Sequence, residues 1–240
     1  MSNTNSVANG FKSIQWQPVA VLVAALALSA CNTSSAVLND PAMALSSVDT
    51  VSTASYAYAP IVDDDISLPA FDYTKMRERY LRRVVDLRTR YKPGTIIVDT
   101  TGPFLYLVQR GGKAIRYGIA VGKEGFEWSG DSVVKRKTKW PTWTPPTEMI
   151  ARSPKLAKYA GGMPAGIQNP LGARAMYLFK DGKDTMYRIH GTNHPFSIGK
   201  NASSGCFRMI NQDVIDLYER VKPGAKVIVR HAPPTYTENH

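Results

Sequence analysis

After Pro93-Gly94 the sequence changes its period, and that change limits the possible folds more than any other feature. Residues 95–100 (TIIVDT), 104–109 and 114–121 are short runs rich in β-branched and aromatic residues. The last two flank Arg110-Gly111-Gly112-Lys113, which predicts a hairpin, because paired glycines accept the backbone angles of a tight turn. Residues 133–139, 175–179, 186–190 and 226–230 read as further strands, with Asp181-Gly182 as a second hairpin turn. The clearest helix is 211–222: Asn211 is a candidate cap, Asp213 suits the first turn, Val214, Leu217, Tyr218 and Val221 share a face, and Pro223-Gly224 ends it. Many short strands with a few short helices indicate a mainly β domain, a sandwich or barrel. Before Pro93, residues 73–92 form a lead-in segment. Met76, Tyr80, Val84 and Leu87 are spaced by four, four and three, which predicts a helix to about residue 82; Val84-Val85 suits the opening of a strand equally well.

The 240 residues suit one domain with extensions. Formal net charge is +11. Residues 1–72 hold one base, Lys12, and six acids, so 29 of the 30 bases and 13 of the 19 acids lie in residues 73–240. A basic body favours an anionic partner or surface. No zinc-finger, helix-turn-helix or phosphate-loop pattern points to nucleic acid, and much of the charge is accounted for as a solvated surface.

Residues 18–30 (PVAVLVAALALSA) form an apolar run of 13 residues. A membrane span needs roughly 20, so the run reads as the core of an export signal occupying residues 1–30. It ends in Leu28-Ser29-Ala30-Cys31, which resembles the bacterial lipobox and would make Cys31 a lipid attachment point holding the protein to the membrane. Asn32 rather than aspartate follows, which favours the outer membrane, on its periplasmic side. Residues 31–72 are rich in Ser, Ala, Thr and Asp without a sustained period and read as a flexible linker. Residues 93–231 then form the main domain, and 232–240 a disordered tail.

With Cys31 committed to a lipid, Cys206 is the one free thiol of the two cysteines, and an exported protein with an unpaired cysteine needs an explanation. His190 ends a strand-like run sixteen residues earlier. A thiol reacts as its thiolate, and a neighbouring imidazole can take the proton. Gly205, just before Cys206, lets a substrate backbone approach and leaves N–H groups for a developing oxyanion. From the residues alone, a buried inert cysteine and a core histidine remain the alternative. His194, four residues after His190, suggests a metal site only superficially: Pro195 breaks helical geometry and no Asp or Glu lies between residues 188 and 212. Trp140, Trp143 and Tyr159 are candidate cleft aromatics, and Lys139, Arg152 and Arg174 weaker candidates for an anionic peptide.

His190-Gly191-Thr192 followed by Ser203-Ser204-Gly205-Cys206-Phe207-Arg208-Met209 resembles the signature of the L,D-transpeptidase catalytic domain (YkuD type). Pro93-Gly94-Thr95, Gly122, residues 169–174 (NPLGAR) and 211–218 resemble the family's supporting motifs, so the likeness covers residues 93–230. The resemblance implies an L,D-transpeptidase-type β-sandwich or barrel without cofactor or metal. It implies Cys206 as nucleophile, His190 as proton acceptor and donor oriented through the Gly191 carbonyl, and Gly205 and Phe207 beside the oxyanion. Ser203, Ser204 and Arg208 would touch substrate. Peptidoglycan stem peptides would be the partners, with an envelope protein as another possible amine acceptor. Two positions depart from the common pattern: Ser204 stands where many members have a second histidine, and Arg208 where some have asparagine. Trimming by water, as an L,D-carboxypeptidase, and a non-catalytic peptidoglycan-binding lipoprotein are the rival readings.

Overall fold

The computed structural model describes residues 54–122, 128–202 and 206–232. The export signal, Cys31 and the tail beyond residue 232 lie outside the described residues, as do Ser203, Ser204 and Gly205. Among the described residues, no helix is long and apolar enough to cross a membrane.

The protein is mainly β. A short hairpin, β1 (Ile61–Asp63) and β2 (Ile66–Leu68), precedes an eleven-stranded mixed sheet. Its strands in chain order are β3 (Arg83–Asp86), β4 (Ile96–Asp99), β5 (Phe104–Val108), β6 (Lys113–Gly118), β7 (Ala120–Gly122), β8 (Gly130–Lys139), β9 (Arg174–Lys180), β10 (Lys183–His190), β11 (Asn201–Ala202), β12 (Phe207–Arg208) and β13 (Lys226–Arg230). They stand side by side as β11-β7-β12-β10-β9-β8-β13-β4-β5-β6-β3. Only Ile119 separates β6 from β7, yet these strands stand second from opposite ends of that order. The sheet therefore curls until its two ends meet, as the barrel-or-sandwich expectation requires. Its inner face closes on one core that includes Val98, Leu105, Tyr117, Met176, Ile189 and Phe207. Helix α2 (Asn211–Arg220) seals that core with Val214 and Leu217; α1 (Thr147–Arg152) lies in the long β8–β9 connection.

Two expectations are corrected before Pro93. The segment expected as a helix to residue 82 holds two single 3-10 turns, Tyr73–Lys75 and Glu78–Tyr80, and then β3, which pairs antiparallel with β6 (Val84↔Ile115). Sheet pairing decided this: β-branched Val84 and Val85 satisfy their backbone groups on the open edge of β6. The linker expected to run to residue 72 is folded from residue 54. Tyr58, Phe71, Tyr80 and Leu87 fill a second core against Ile97, Phe104 and Tyr106 on the sheet's other face. At roughly 2 kcal/mol for each buried side chain of this size, the segment is part of the domain.

The hairpin is fastened by charge. Arg174, 2% exposed, donates to Asp63 at 2.5 Å, and the indole N–H of Trp140 donates to the same carboxylate at 2.7 Å. Hydrogen bonding and charge from Arg174 hold Asp63 below the usual carboxylate range against its desolvation. Arg174, expected as a contact for an anionic peptide, is thus a structural side chain. Trp140, 8% exposed, is fixed beside it rather than open to a cleft. Trp143 and Tyr159 are half-buried, while Lys139 and Arg152 are exposed. Removing one partner of a buried pair leaves the other charge uncompensated. Asp63→Ala is therefore expected to lower stability by about 3 kcal/mol, read as a lower urea midpoint with an unchanged m-value. An unchanged midpoint would mean that the hairpin is not clamped.

Candidate active site

His190 is the last residue of β10, and Phe207–Arg208 form β12 beside it. The two strands run parallel, with Ile189 opposite Phe207 and His190 opposite Arg208. The Met209 N–H donates to His190 O at 2.8 Å, and on the other side the Gly122 N–H donates to Cys206 O at 3.2 Å. Side chains alternate along a strand. Ile189 and Phe207 both point into the core, so His190, Arg208 and Cys206 share the opposite face. The pleat thus puts the cysteine and histidine named from sequence on the same face of the sheet, on neighbouring segments. Cys206 is half-buried and forms no disulfide.

His190 is 4% exposed, and its Nδ1 lies 2.6 Å from Gly191 O. A carbonyl oxygen can only accept, so Nδ1 carries a proton. In the neutral ring Nε2 is then bare and basic. Burial, reinforced by the charge of Arg208, pushes the His190 pKa down to about 4; the Gly191 hydrogen bond opposes the shift and Arg188 adds to it. At neutral pH the ring is an uncharged base. The Gly191 N–H donates to Arg174 O at 3.1 Å, so it is engaged in the sheet and Gly191 orients the imidazole through its carbonyl alone. Arg208 is half-buried; burial lowers its pKa and charge on Cys206 opposes this. Phe207 is fully buried, and its ring packs 6.3 Å from that of Tyr187.

Asn211 was expected to cap α2. It is instead the first helical residue, and no side-chain hydrogen bond caps that end. Its side chain reaches sideways: Oδ1 accepts from Ala173 N–H at 3.0 Å and Thr192 N–H at 3.2 Å, while Nδ2 donates to Thr192 O at 3.0 Å. The fit leaves no room for a side chain at residue 191, because a Cβ on Gly191 would collide with Asn211 Oδ1. Gly172 faces the same atom at φ +60, a region costly for other residues. Asn211 thus fixes the peptide that orients His190. No local sequence signal reveals this, since its partners lie 38 and 19 residues away. Among the described residues, no group of three or more His, Cys, Asp or Glu is placed to hold a metal ion. His194 is tied into the loop by its N–H to Thr192 Oγ1 at 3.0 Å.

The L,D-transpeptidase catalytic domain family (YkuD) matches residues 93–229, and the chain belongs to it. The probable L,D-transpeptidase ErfK/SrfK of Escherichia coli K12 is 37% identical over 125 residues, 50% of this chain and 38% of that protein. The probable L,D-transpeptidase YbiS of the same strain is 34% identical over 138 residues, 55% of this chain and 43% of that protein. The chain therefore spans less than half the length of these relatives. A solved chain from Brucella melitensis, described as a probable carnitine operon oxidoreductase, is 49% identical across 66% of this chain and 99% of its own. Its TM-score of 0.45 is too low for the superposition to bear on activity.

The buried neutral imidazole sets a pH dependence. Between pH 6.5 and about 4 the unfolded chain binds more protons at this residue than the folded one. Its contribution to stability is complete above pH 6.5 and falls as pH drops through that window. Asp213, raised to about 7 mainly by burial, has the opposite sign: its contribution declines as pH rises from about 4 to 7. The His190 share is isolated by comparison with His190→Gln. Between pH 7 and 4.5 the wild type is expected to lose about 2–3 kcal/mol more than the variant in urea titrations. Parallel pH profiles would contradict the assigned burial of the neutral ring.

Proposed function

We propose that the protein is a peptidoglycan L,D-transpeptidase in which Cys206 is the nucleophile and His190 its proton carrier. The observation that carries this reading is the His190 Nδ1 contact with Gly191 O, which leaves Nε2 as a base on the face shared with Cys206. His190 Nε2 takes the proton from Sγ, and the thiolate attacks the carbonyl of the diamino acid at position three of a tetrapeptide stem. Backbone N–H groups around Cys206, at Gly205 and Phe207, are the proposed donors to the oxyanion, and Ser203, Ser204 and Arg208 the proposed contacts to substrate. The tetrahedral intermediate collapses with cleavage of the bond to the terminal D-alanine, whose amine receives the proton from His190. A thioester remains on Cys206. An acceptor amine then loses its proton to His190, attacks the thioester carbonyl and expels Sγ, which is reprotonated. An amine from a second stem gives a 3–3 cross-link, and an amine of an envelope protein gives a tethered protein. Water gives the trimmed stem and free acid. No cofactor enters these steps. Residues 18–31 support export to the periplasm with a lipid on Cys31, the outer membrane being favoured.

The test is the muropeptide profile of cells, and of isolated cell wall, with the wild-type protein and with Cys206→Ala. Loss of the nucleophile is expected to reduce D-alanine release at least roughly a thousandfold and to remove 3–3 or protein-linked muropeptides. An unchanged product profile in the variant would sink the enzymatic reading. For the anchor, fatty-acid labelling is expected in wild type and not in Cys31→Ser; equal labelling would remove the lipid claim.

A further inference from the structure

The strands beside the proposed nucleophile carry a second feature. One residue back along the β10–β12 register places Arg188 beside Cys206. Arg188 stands opposite Tyr177 of β9, and Tyr177 opposite Arg136 of β8. Cys206, just before β12, and Arg188, Tyr177 and Arg136 of three neighbouring strands therefore form one lateral row. All face away from the core, since their neighbours Ile189, Met176, Leu178 and Phe207 fill it. A bulge between Val134 and Arg136 produces this alignment, shifting the register so that Arg136, rather than Lys135, meets Tyr177.

Tyr177 is clasped by both guanidiniums: Cζ of Arg136 lies 3.6 Å from the ring centroid and Cζ of Arg188 4.5 Å. Arg188, its side chain 13% exposed, is held by a two-pronged ion pair to Asp184 at 2.6 and 2.9 Å. Arg136 is exposed; Asp184, held in two places by Arg188, also feels the charge of Arg136. Two arginines against one aspartate leave this patch positive. Stacking fixes the plane of a guanidinium through its face and leaves its edge N–H groups pointing outward, the geometry that grips a carboxylate in two places. The spacing suits a peptide. Tyr177 lies two strand steps from Cys206, about 10 Å at about 4.8 Å per step. An extended peptide covers that distance in about three residues.

We propose that Arg136, stacked on Tyr177 and flanked by Arg188, is a carboxylate subsite that reads an acidic group on the donor peptide within about three residues of the acyl carbon. The ligand class is a carboxylate-bearing peptide, and Arg136 contributes to donor specificity. The proposal rests on Cys206 as the acylated residue.

The test uses the full-length chain with Cys206→Ala, which binds without turnover. The probes are a stem tetrapeptide with its side carboxylate and the same peptide with that group as a carboxamide, measured by calorimetry. The acidic peptide is expected to bind about tenfold more tightly, because hydrogen bonds to charged groups are the strong ones. Adding Arg136→Ala is expected to abolish the difference by weakening the acidic peptide alone, and Arg136→Lys to restore it only in part. Equal binding of the two peptides, or a difference that survives Arg136→Ala, would overturn the subsite. Failure of the Cys206 reading shows separately: Cys206→Ala would then release D-alanine from the acidic peptide as fast as wild type.

Discussion

The side chain of Asn211 is the point on which the site depends. Its amide makes three hydrogen bonds, to Ala173 N–H, Thr192 N–H and Thr192 O, and is itself buried. It therefore joins the start of α2, the strand end before β9 and the turn after β10. Buried polar groups must be paired or they cost stability, so satisfying all three at once permits one arrangement of these segments. The Gly191 carbonyl belongs to that arrangement, and through it the orientation and tautomer of His190 are set.

The same turn explains why the imidazole is a neutral base. Complete burial disfavours the charged ring, and Arg208 and Arg188 add repulsion that the Gly191 hydrogen bond only partly offsets. Arg188 and Arg208 lie on the face that carries Cys206, and Arg188 is paired with Asp184. In the proposed mechanism this uncharged histidine is the group that takes the proton from Cys206. The curled sheet makes the arrangement rigid: β12 has only two residues, yet it is held between β10 and β7.

The segment before Pro93 belongs to the same economy of structure. Its hairpin places Asp63 against Arg174, the residue that begins β9 and whose carbonyl accepts from Gly191 N–H. Its aromatic side chains, Tyr58 and Tyr80 among them, close the second core. Tyr58 also donates to Asp213 at 3.2 Å, and Arg82 pairs with Asp216 at 2.8 Å, so the segment grips α2 from beneath.

By itself the sequence determined most strand runs after Pro93, the glycine turns, the helix beginning at Asn211, and a family signature containing one histidine and one cysteine. These are local: alternation, turn chemistry and motif spacing act over a few residues. The run 114–121, read as one strand, divides into β6 and β7, and the two-residue strands β11 and β12 carried no local signal. Tertiary structure decided the rest. The lead-in periodicity of Met76, Tyr80, Val84 and Leu87 suited a helix, but the open edge of β6 recruited Val84 and Val85 into a strand. Arg174 is a candidate contact for an anionic peptide by sequence, but Asp63, 111 residues away, takes it into a buried pair. Asn211 has the composition of a cap, yet its partners are remote backbone groups. In the row from Cys206 to Arg136, the residues come from three strands and the position just before β12, and are aligned by register and one bulge. Contacts between distant segments depend on how the sheet curls and pairs, and no local pattern of residues encodes that closure.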